Sequence, residues 1–403
     1  MLTILLFLFF LAPTVQYRMQ LGSVTISLME PVVLIASIFL FLREYLLKHS
    51  IGLPRNRIFH SLLMMLFWVF FTQVIFSENT MEGLSDLRNW LIPILGFVAL
   101  LTVKKDWRKW IGMYIFIVFL NSLLGIYQYV TDSFRPFQNT YGDSRLSIIF
   151  LNGGVSLTNT KFSLGLFTHP NAYAMYLIGG LMIALGFALS TRKLKDQIVV
   201  FPIITALILS FSKTSIIVLI GLLLVFGFIW LRIKFSVLNW IYLPVVIFSF
   251  IGVFFIVKYF PPELFATYYW RVGLWKIAYE FFLQNPTILL IGGGLNKFGD
   301  IAYYGQPHNL YIYIFLLYGV PGLIFLLSIL WENIWSMIFY FQANRTRDQL
   351  MQAGLFMATM SLFAVGLTES TLFGIEIRII FMTWLALFIG FMREGKMETN
   401  YEK

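Results

Sequence analysis

Apolar residues run through this chain in near-continuous stretches of about 20, long enough to cross the hydrocarbon core of a bilayer as helices. Polar residues fall mostly between the stretches. The runs lack the strict alternation that an outer-membrane β-barrel needs. About twelve spans are expected, at 2–14, 24–42, 58–77, 87–103, 110–130, 170–190, 197–211, 214–231, 237–257, 320–341, 350–368 and 376–392. The first is short for a span. No Lys or Arg precedes it, so a retained helix is favoured over a cleaved signal peptide.

Two stretches break this rhythm, 131–169 and 258–319. They are the two long connections with enough polar chain to build a site. Pro261-Pro262 opens the second, and Gly292-Gly293-Gly294 lies inside it. Both are rich in aromatic and apolar residues, so ordered, partly re-entrant structure is expected, buried in protein or lining a wet cavity. No internal repeat is visible, and nothing favours the inverted-repeat plan of many secondary transporters. The chain reads as a single integral membrane domain over 1–403.

Composition sharpens the class. The chain is 59% hydrophobic and 12% charged, with a mean hydropathy of +0.81. A soluble fold has no interior large enough for that much apolar surface, so the fold class is an all-α polytopic membrane protein. There is no cysteine, which excludes disulfides, thiolate nucleophiles and Cys-ligated metal. The net charge of +10 would suit nucleic acid, but its placement does not. Basic residues cluster in short connections: Arg43, Lys48, Arg55 and Arg57; Lys104, Lys105, Arg108 and Lys109; Arg192, Lys193 and Lys195; Arg232 and Lys234; Arg345 and Arg347; Arg393 and Lys396. Alternation of the spans puts all of them on the cytoplasmic side with both termini, the positive-inside pattern. The two long connections then face outwards, and no nucleic-acid partner is expected.

Four polar segments on that outer side carry candidate chemistry. The first is Gln306-Pro307-His308-Asn309-Leu310, ahead of Gly319-Val320-Pro321-Gly322. The chain has four histidines, and imidazole is the side chain that exchanges protons most readily near neutral pH. The plain alternative is an interfacial His that only bonds backbone. Pro307 fixes the backbone before His308, Asn309 offers a second polar contact, and 309–318 suits a short outer helix before the Gly319/Pro321 break. Second, Arg271 stands among aromatics in Tyr268-Tyr269-Trp270-Arg271-Val272-Gly273-Leu274-Trp275-Lys276, with Trp275 on its helical face. It is either a snorkelling interfacial arginine or a planar fork for phosphate. Third, Lys213 sits in the polar knot Ser210-Phe211-Ser212-Lys213-Thr214-Ser215 between two apolar spans. An ordinary hairpin turn would explain the knot, yet a lysine at the rim of a bilayer asks for an anion. Fourth, in Phe167-Thr168-His169-Pro170-Asn171, Thr168 is the expected cap of the next helix, and Pro170 its first turn. His169 would face the same compartment as His308.

These residues resemble the bacterial O-antigen ligase and O-antigen or capsule polymerase family of membrane glycosyltransferases, over roughly 160–340. Phe167-Thr168-His169-Pro170-Asn171 is similar to its G-x-F-x-H-P-N segment, and Ser212-Lys213 to its Ser-Arg at a helix end. Arg271, Trp275, Asn285-Pro286 and Gly292 follow its R…W…NP…G block. Pro307-His308-Asn309-Leu310 with Gly319-Val320-Pro321-Gly322 resembles its most specific motif, HN-x-Y/L…G-x-P-G. Two positions depart from the pattern. Lys213 replaces the usual arginine and keeps the charge without the bidentate fork. Leu316-Leu317 replaces a Glu-Leu pair after the His, which leaves His308 without its expected carboxylate partner.

The resemblance implies a GT-C-like architecture of about 12 transmembrane helices with two long outer loops. It implies sugar transfer from an undecaprenyl-diphosphate carrier on the outer face of the bacterial cytoplasmic membrane. The partners it implies are lipid-linked oligosaccharide, membrane lipid, and the flippase and chain-length regulator of the same pathway. His308 is then the candidate base, Arg271 and Lys213 the cations on the diphosphate, and His169, Asn171, Asn309 and Trp275 the supporting residues. Direct attack by the acceptor hydroxyl would invert the anomeric centre, and no metal or cofactor is expected, because metal-dependent membrane glycosyltransferases usually place acidic pairs in the first outer connection and here, at about 15–23, it holds no Asp or Glu. Glu82 and Asp86 read as solvated loop charge, and Glu30 as a candidate membrane-embedded carboxylate. Glu369, Glu376 and Arg378 are expected at the outer end of the last span. Asp143, Arg145, Asn152 and Lys161 are candidates for sugar selection. Heavy use of Phe, Ile, Lys and Asn points to a low-GC genome, and a Gram-positive source without lipopolysaccharide would make the protein a polymerase rather than a ligase. The reading from another class is a transporter, which buried cation–anion pairs near mid-span would favour.

Overall fold

The computed structural model describes residues 2–15, 18–21, 24–27, 29–48, 57–75, 80–103, 106–131, 147–151, 154–158, 163–167, 169–234, 266–294, 307–343, 348–372 and 374–401. The helices among them are α1 (Leu2–Leu11), α2 (Met29–Lys48), α3 (Arg57–Phe70), α4 (Thr80–Leu101), α5 (Trp107–Thr131), α6 (Pro170–Thr191), α7 (Leu194–Ile198), α8 (Val200–Leu209), α9 (Lys213–Lys234), α10 (Ala266–Gln284), α11 (Pro286–Ile291), α12 (Leu310–Ala343), α13 (Asp348–Val365) and α14 (Ile375–Tyr401). A π-turn, Phe71–Ile75, extends α3. Two antiparallel hairpins complete the described structure, β1 (Arg18–Leu21) with β2 (Val24–Ser27), and β3 (Ser147–Leu151) with β4 (Gly154–Thr158).

Seven of the described helical segments are long and apolar enough to cross a membrane: Arg57–Ile75, Thr80–Leu101, Trp107–Thr131, Pro170–Thr191, Lys213–Ile233, Leu310–Ile338 and Ile375–Glu394. The chain is a multi-pass membrane protein, with several departures from the twelve expected spans. The span at 24–42 becomes helical at Met29, because its first residues pair as β2. Glu30 fixes that start: its carboxylate accepts from the Ser27 N–H at 2.8 Å, in the spacing of a capping box. The span at 197–211 resolves into the short helices α7 and α8. The span expected from 320 follows a helical part that begins at Leu310, and the two meet at the non-helical Gly319, as the short helix expected over 309–318 required. The span at 237–257 lies outside the described residues, as do Asp143, Arg145, Asn152 and Lys161.

The chain divides into two compact units. One comprises residues 1–114, 274–340 and 366–403. Its α14 is buried from Ile375 to Phe391 and packed on α4. Such a helix is apolar all round because it meets protein on every side. Its polar contacts are few and directed. Trp384 Nε1 donates to the Tyr114 hydroxyl at 2.6 Å. The Glu394 carboxylate accepts from the Asp106 and Trp107 N–H groups at 3.0 and 3.3 Å, an acid at the start of α5 where the helix dipole favours it.

The other unit comprises residues 115–273 and 341–365. Here α6 packs closely on α13. The approach is set by Gly186 and Gly354: a Cβ on Gly186 would stand 2.6 Å from the Leu350 carbonyl and 3.0 Å from the Gly354 Cα. Between apolar helices in lipid, small residues are what permit close packing. The end of the first long connection enters this unit as buried, non-helical backbone. Its polar groups are met by side chains and by a helix end. Ser163 N–H and Oγ donate to the Leu209 and Ala206 carbonyls, Gln128 bonds Leu164 N–H and Gly165 O, and Asn121 Oδ1 accepts from Leu166 N–H at 2.9 Å. Irregular backbone at membrane depth is tolerated where it is satisfied this way.

Gly186→Val is expected to lower stability by about 1–3 kcal/mol through overpacking, read as an earlier thermal transition of the purified protein in detergent. Gly221→Ala, where no atom lies within 4 Å of the added Cβ, is expected to leave the transition unchanged or raise it.

Candidate functional site

The break in α12 organises the site. Gly319 leaves the helical region at φ 64° and ψ −164°, and Pro321 has no N–H to give. Carbonyls on the preceding turn lose their donors where no water can replace them. Each finds another. Leu316 O accepts from Gly293 N–H at 2.7 Å, Leu317 O from Gln73 Nε2 at 3.0 Å and Gly294 N–H at 3.4 Å, and Tyr318 O from Trp68 Nε1 at 2.6 Å. Two glycines let the backbones meet. A Cβ on Gly292, at φ 87°, would stand 2.2 Å from Leu317 O, and one on Gly319 would stand 2.7 Å from Leu290 O. Only glycine fits a positive φ at that approach.

His308 lies one residue before the N-cap of α12. Asn309 caps the helix, with Oδ1 accepting from the Tyr311 and Ile312 N–H groups at 3.0 Å each, while its Nδ2 donates to Leu367 O at 2.8 Å. Leu310 N–H donates to Gly366 O at 2.7 Å, and Trp275 Nε1 on α10 donates to Pro307 O at 2.8 Å. Held on both sides, His308 adopts φ 45°, a left-handed conformation that costs a non-glycine residue roughly 1–3 kcal/mol and marks sites of function. Its Nδ1 lies 3.3 Å from Glu369 Oε2, with the two side chains 31% and 13% exposed. The pair is thus reachable from outside yet partly sheltered. The expectation that His308 has no carboxylate partner is corrected here. The partner comes from a turn 61 residues further along, brought over by the bonds to Gly366 and Leu367.

A buried network lies along the same helix. The Tyr318 hydroxyl donates to Asp86 Oδ2 and accepts from Trp90 Nε1 at 2.8 Å. Arg378, fully buried, places Nη1 and Nη2 at 3.1 and 3.0 Å from Asp86 Oδ1, donates from Nε to Leu372 O at 2.7 Å, and stacks over the Trp90 ring at 4.4 Å. Asp86 is therefore not solvated loop charge: it sits inside α4, buried and paired, because a buried guanidinium needs a counter-ion. Glu82, in the first turn of α4, is half-buried. Glu30 is buried as expected and pairs with Arg88 at 3.1 Å. Glu376 and Arg378 occupy the first turn of α14, at the end of the last span.

The remaining candidates belong to the second unit, or to the part of α10 assigned to it. Lys213 is exposed as the first residue of α9. Beside it Ser212 and Ser215 are buried and bonded to each other at 2.8 Å, and Phe211 takes φ 53° to turn the chain. His169 is the N-cap of α6, its Nδ1 accepting from Asn171 N–H at 3.2 Å, with Pro170 in the first turn. The cap is thus His169, whereas Thr168 was expected; Thr168 itself lies outside the described residues. Arg271 is half-buried on α10, one helical turn before Trp275. Of the residues singled out from sequence, the structure joins Trp275, His308 and Asn309 through Pro307, and His169 with Asn171. Sequence reasoning placed Glu369 and Arg378 at a helix end but missed the bond of Glu369 to His308 and those of Arg378 to Asp86 and Leu372. Charge in an otherwise apolar segment was the signal available.

Gln73→Leu removes one donor of Leu317 O and is expected to cost about 1–3 kcal/mol, read as a lower thermal midpoint. Gly292→Ala meets a backbone oxygen that cannot move aside and is expected to cost more, with a lower yield of monodisperse protein.

Comparison with known proteins gives one family match, described as O-antigen ligase, over residues 198–327. No curated protein matches the chain. The matched stretch contains Lys213, Arg271, Trp275, His308, Asn309 and both glycines of the helix break, and it is this match that supports the assignment of the chain to the O-antigen ligase and polymerase family.

Proposed function

We propose that the protein transfers a glycan from a polyprenyl-diphosphate carrier to a sugar hydroxyl on the outer face of the cytoplasmic membrane. As the primary reading, it is the polymerase that joins lipid-linked oligosaccharide repeat units into a surface polysaccharide. Ligation of the glycan to a lipid A–core acceptor is the second reading, favoured by the description of the matched family. The observation that carries the proposal is the His308–Glu369 pair, an imidazole held by a carboxylate at a strained position of a membrane helix start.

In this reading Glu369 accepts from the Nδ1–H of His308, so that Nε2 is the nitrogen that takes the acceptor hydroxyl proton. The acceptor oxygen forms its bond to the anomeric carbon as the bond from that carbon to the diphosphate oxygen breaks. The electron pair leaves with the polyprenyl diphosphate, and direct attack inverts the anomeric centre. Charge grows on the leaving diphosphate, where Arg271 and Lys213 act. A lysine on the first residue of α9 works against the helix dipole unless an anion lies between it and the helix N–H groups, which a phosphate oxygen would do. Asn309 and Trp275 hold the backbone around the base, and His169 with Asn171 shapes the start of α6. No metal takes part in the proposed step. The transporter reading is less well supported: the pairs Asp86–Arg378 and Glu30–Arg88 each draw one partner from the first turn of a helix, Arg378 of α14 and Glu30 of α2, rather than both from mid-span positions.

The assay uses purified protein in detergent with synthetic undecaprenyl-diphosphate oligosaccharide and a chelator. A ladder of longer lipid-linked glycans is expected. Transfer only after a lipid A–core acceptor is added would make the protein a ligase, and silence with both acceptors would overturn the proposal. His308→Ala is expected to lower kcat by about 10²–10⁴-fold while leaving folded protein, and Glu369→Gln to act in the same direction. Arg271→Ala and Lys213→Ala are each expected to cost about 10²–10³-fold, whereas Lys213→Arg keeps activity. A normal ladder from the His308 variant would end its assignment as base.

A further inference from the structure

We propose that the buried Asp86–Arg378 pair, together with the Tyr318 hydroxyl, is the positioning element of the His308–Glu369 contact. The inference rests on the reading of His308 as the reacting base, and it deepens that reading by adding residues that touch no substrate. Asp86 is one carboxylate with an oxygen committed to each side. Oδ2 accepts from Tyr318, on the helix that begins beside His308. Oδ1 accepts from both terminal nitrogens of Arg378, whose Nε in turn donates to Leu372 O. Leu372 ends the turn 366–372 that carries Glu369. The same turn is anchored at its start by Leu310 N–H on Gly366 O and by Asn309 Nδ2 on Leu367 O. The turn is therefore fixed at both ends to α12, at one end directly and at the other through Asp86. Glu369 lies between the two anchors.

Stability alone does not account for this arrangement. Burying a guanidinium and a carboxylate is costly, and well-packed apolar residues of similar volume usually hold helices together as well or better. What apolar packing does not supply is direction. Five hydrogen bonds among Asp86, Tyr318, Trp90, Arg378 and Leu372 fix distances to within a few tenths of an ångström. A reacting group needs such fixing, since about 1 Å of misplacement can cost on the order of 10²-fold in rate. The His308–Glu369 separation of 3.3 Å leaves little room for drift before the contact is lost.

The test uses the full chain purified in detergent, as the Asp86→Leu/Arg378→Met double variant and the milder Tyr318→Phe. Three readouts are taken: the thermal transition with elution profile, the rate at which diethyl pyrocarbonate labels each histidine as read by mass spectrometry, and kcat and KM for transfer. The proposal expects the folded double variant to label several-fold faster at His308 while His169 keeps its wild-type rate. It expects kcat to fall on the order of 10²-fold with KM for the lipid-linked donor unchanged. Tyr318→Phe, which removes a single oxygen, should shift both readouts the same way by less. Wild-type labelling and kcat in a folded double variant would overturn the proposal, as would a uniform rise at all histidines, the mark of general loosening. If the double variant does not fold, unchanged His308 labelling in Tyr318→Phe overturns it equally. Labelling needs no substrate. Selective exposure of His308 in a preparation whose wild type shows no transfer would therefore sink the transferase reading while upholding the positioning role.

Discussion

The rest of this structure depends on a set of backbone carbonyls that a membrane helix cannot leave bare. Gly319 and Pro321 interrupt α12, and the carbonyls of Leu316, Leu317 and Tyr318 must then find donors in a medium without water. They find them in Gly293, Gly294, Gln73 and Trp68. The four donors tie three stretches of chain to the break: the residues after α11, the π-turn after α3, and α3 itself. The glycines of the motif are thereby explained without reference to substrate. Gly292 and Gly319 are where two backbones meet too closely for any side chain. The break also ends the short first part of α12, so that His308 stands at the start of a brief, separately anchored helix rather than on a long rigid rod.

Charge follows the same logic. A buried charge in an apolar fold must be paired, and its pairing fixes neighbours. Asp86 and Arg378 are both buried to within 1% and meet each other, Tyr318 and the Trp90 ring. Glu30 caps one helix while pairing with Arg88 on another. Charges that look isolated in sequence thus hold helix ends together. The exposed pair Lys276–Glu280, by contrast, is a surface contact along one helix and contributes little.

Much of the candidate site was legible in the chain. Pro307-His308-Asn309 ahead of a Gly-x-Pro-Gly break, Pro170 after His169, and Lys213 between Ser212 and Thr214 each occupy a helix start, where local rules of capping and proline placement operate. Those rules act over three or four residues and so can be read directly. The cap of α6 is His169, one residue later than expected, because an imidazole Nδ1 can accept from the helix N–H groups as a hydroxyl does, and both residue types stand side by side in the sequence. The short helix over 309–318 and the break at Gly319 and Pro321 were read from the same local signals, since a positive φ at glycine and a proline without an N–H interrupt a helix wherever they stand.

What the sequence by itself determined is the class and the inventory: apolar runs that only helices can carry through lipid, basic residues gathered between them, and a small set of His, Arg, Lys and Asn at helix ends. Tertiary structure alone decided the pairings. Glu369 meets His308 and Asp86 meets Arg378 across 61 and 292 residues of chain. Nothing local specifies those distances. They follow from how unmade helix bonds and buried charges are satisfied once the helices pack, and that requirement is a property of the assembled interior rather than of any segment within it.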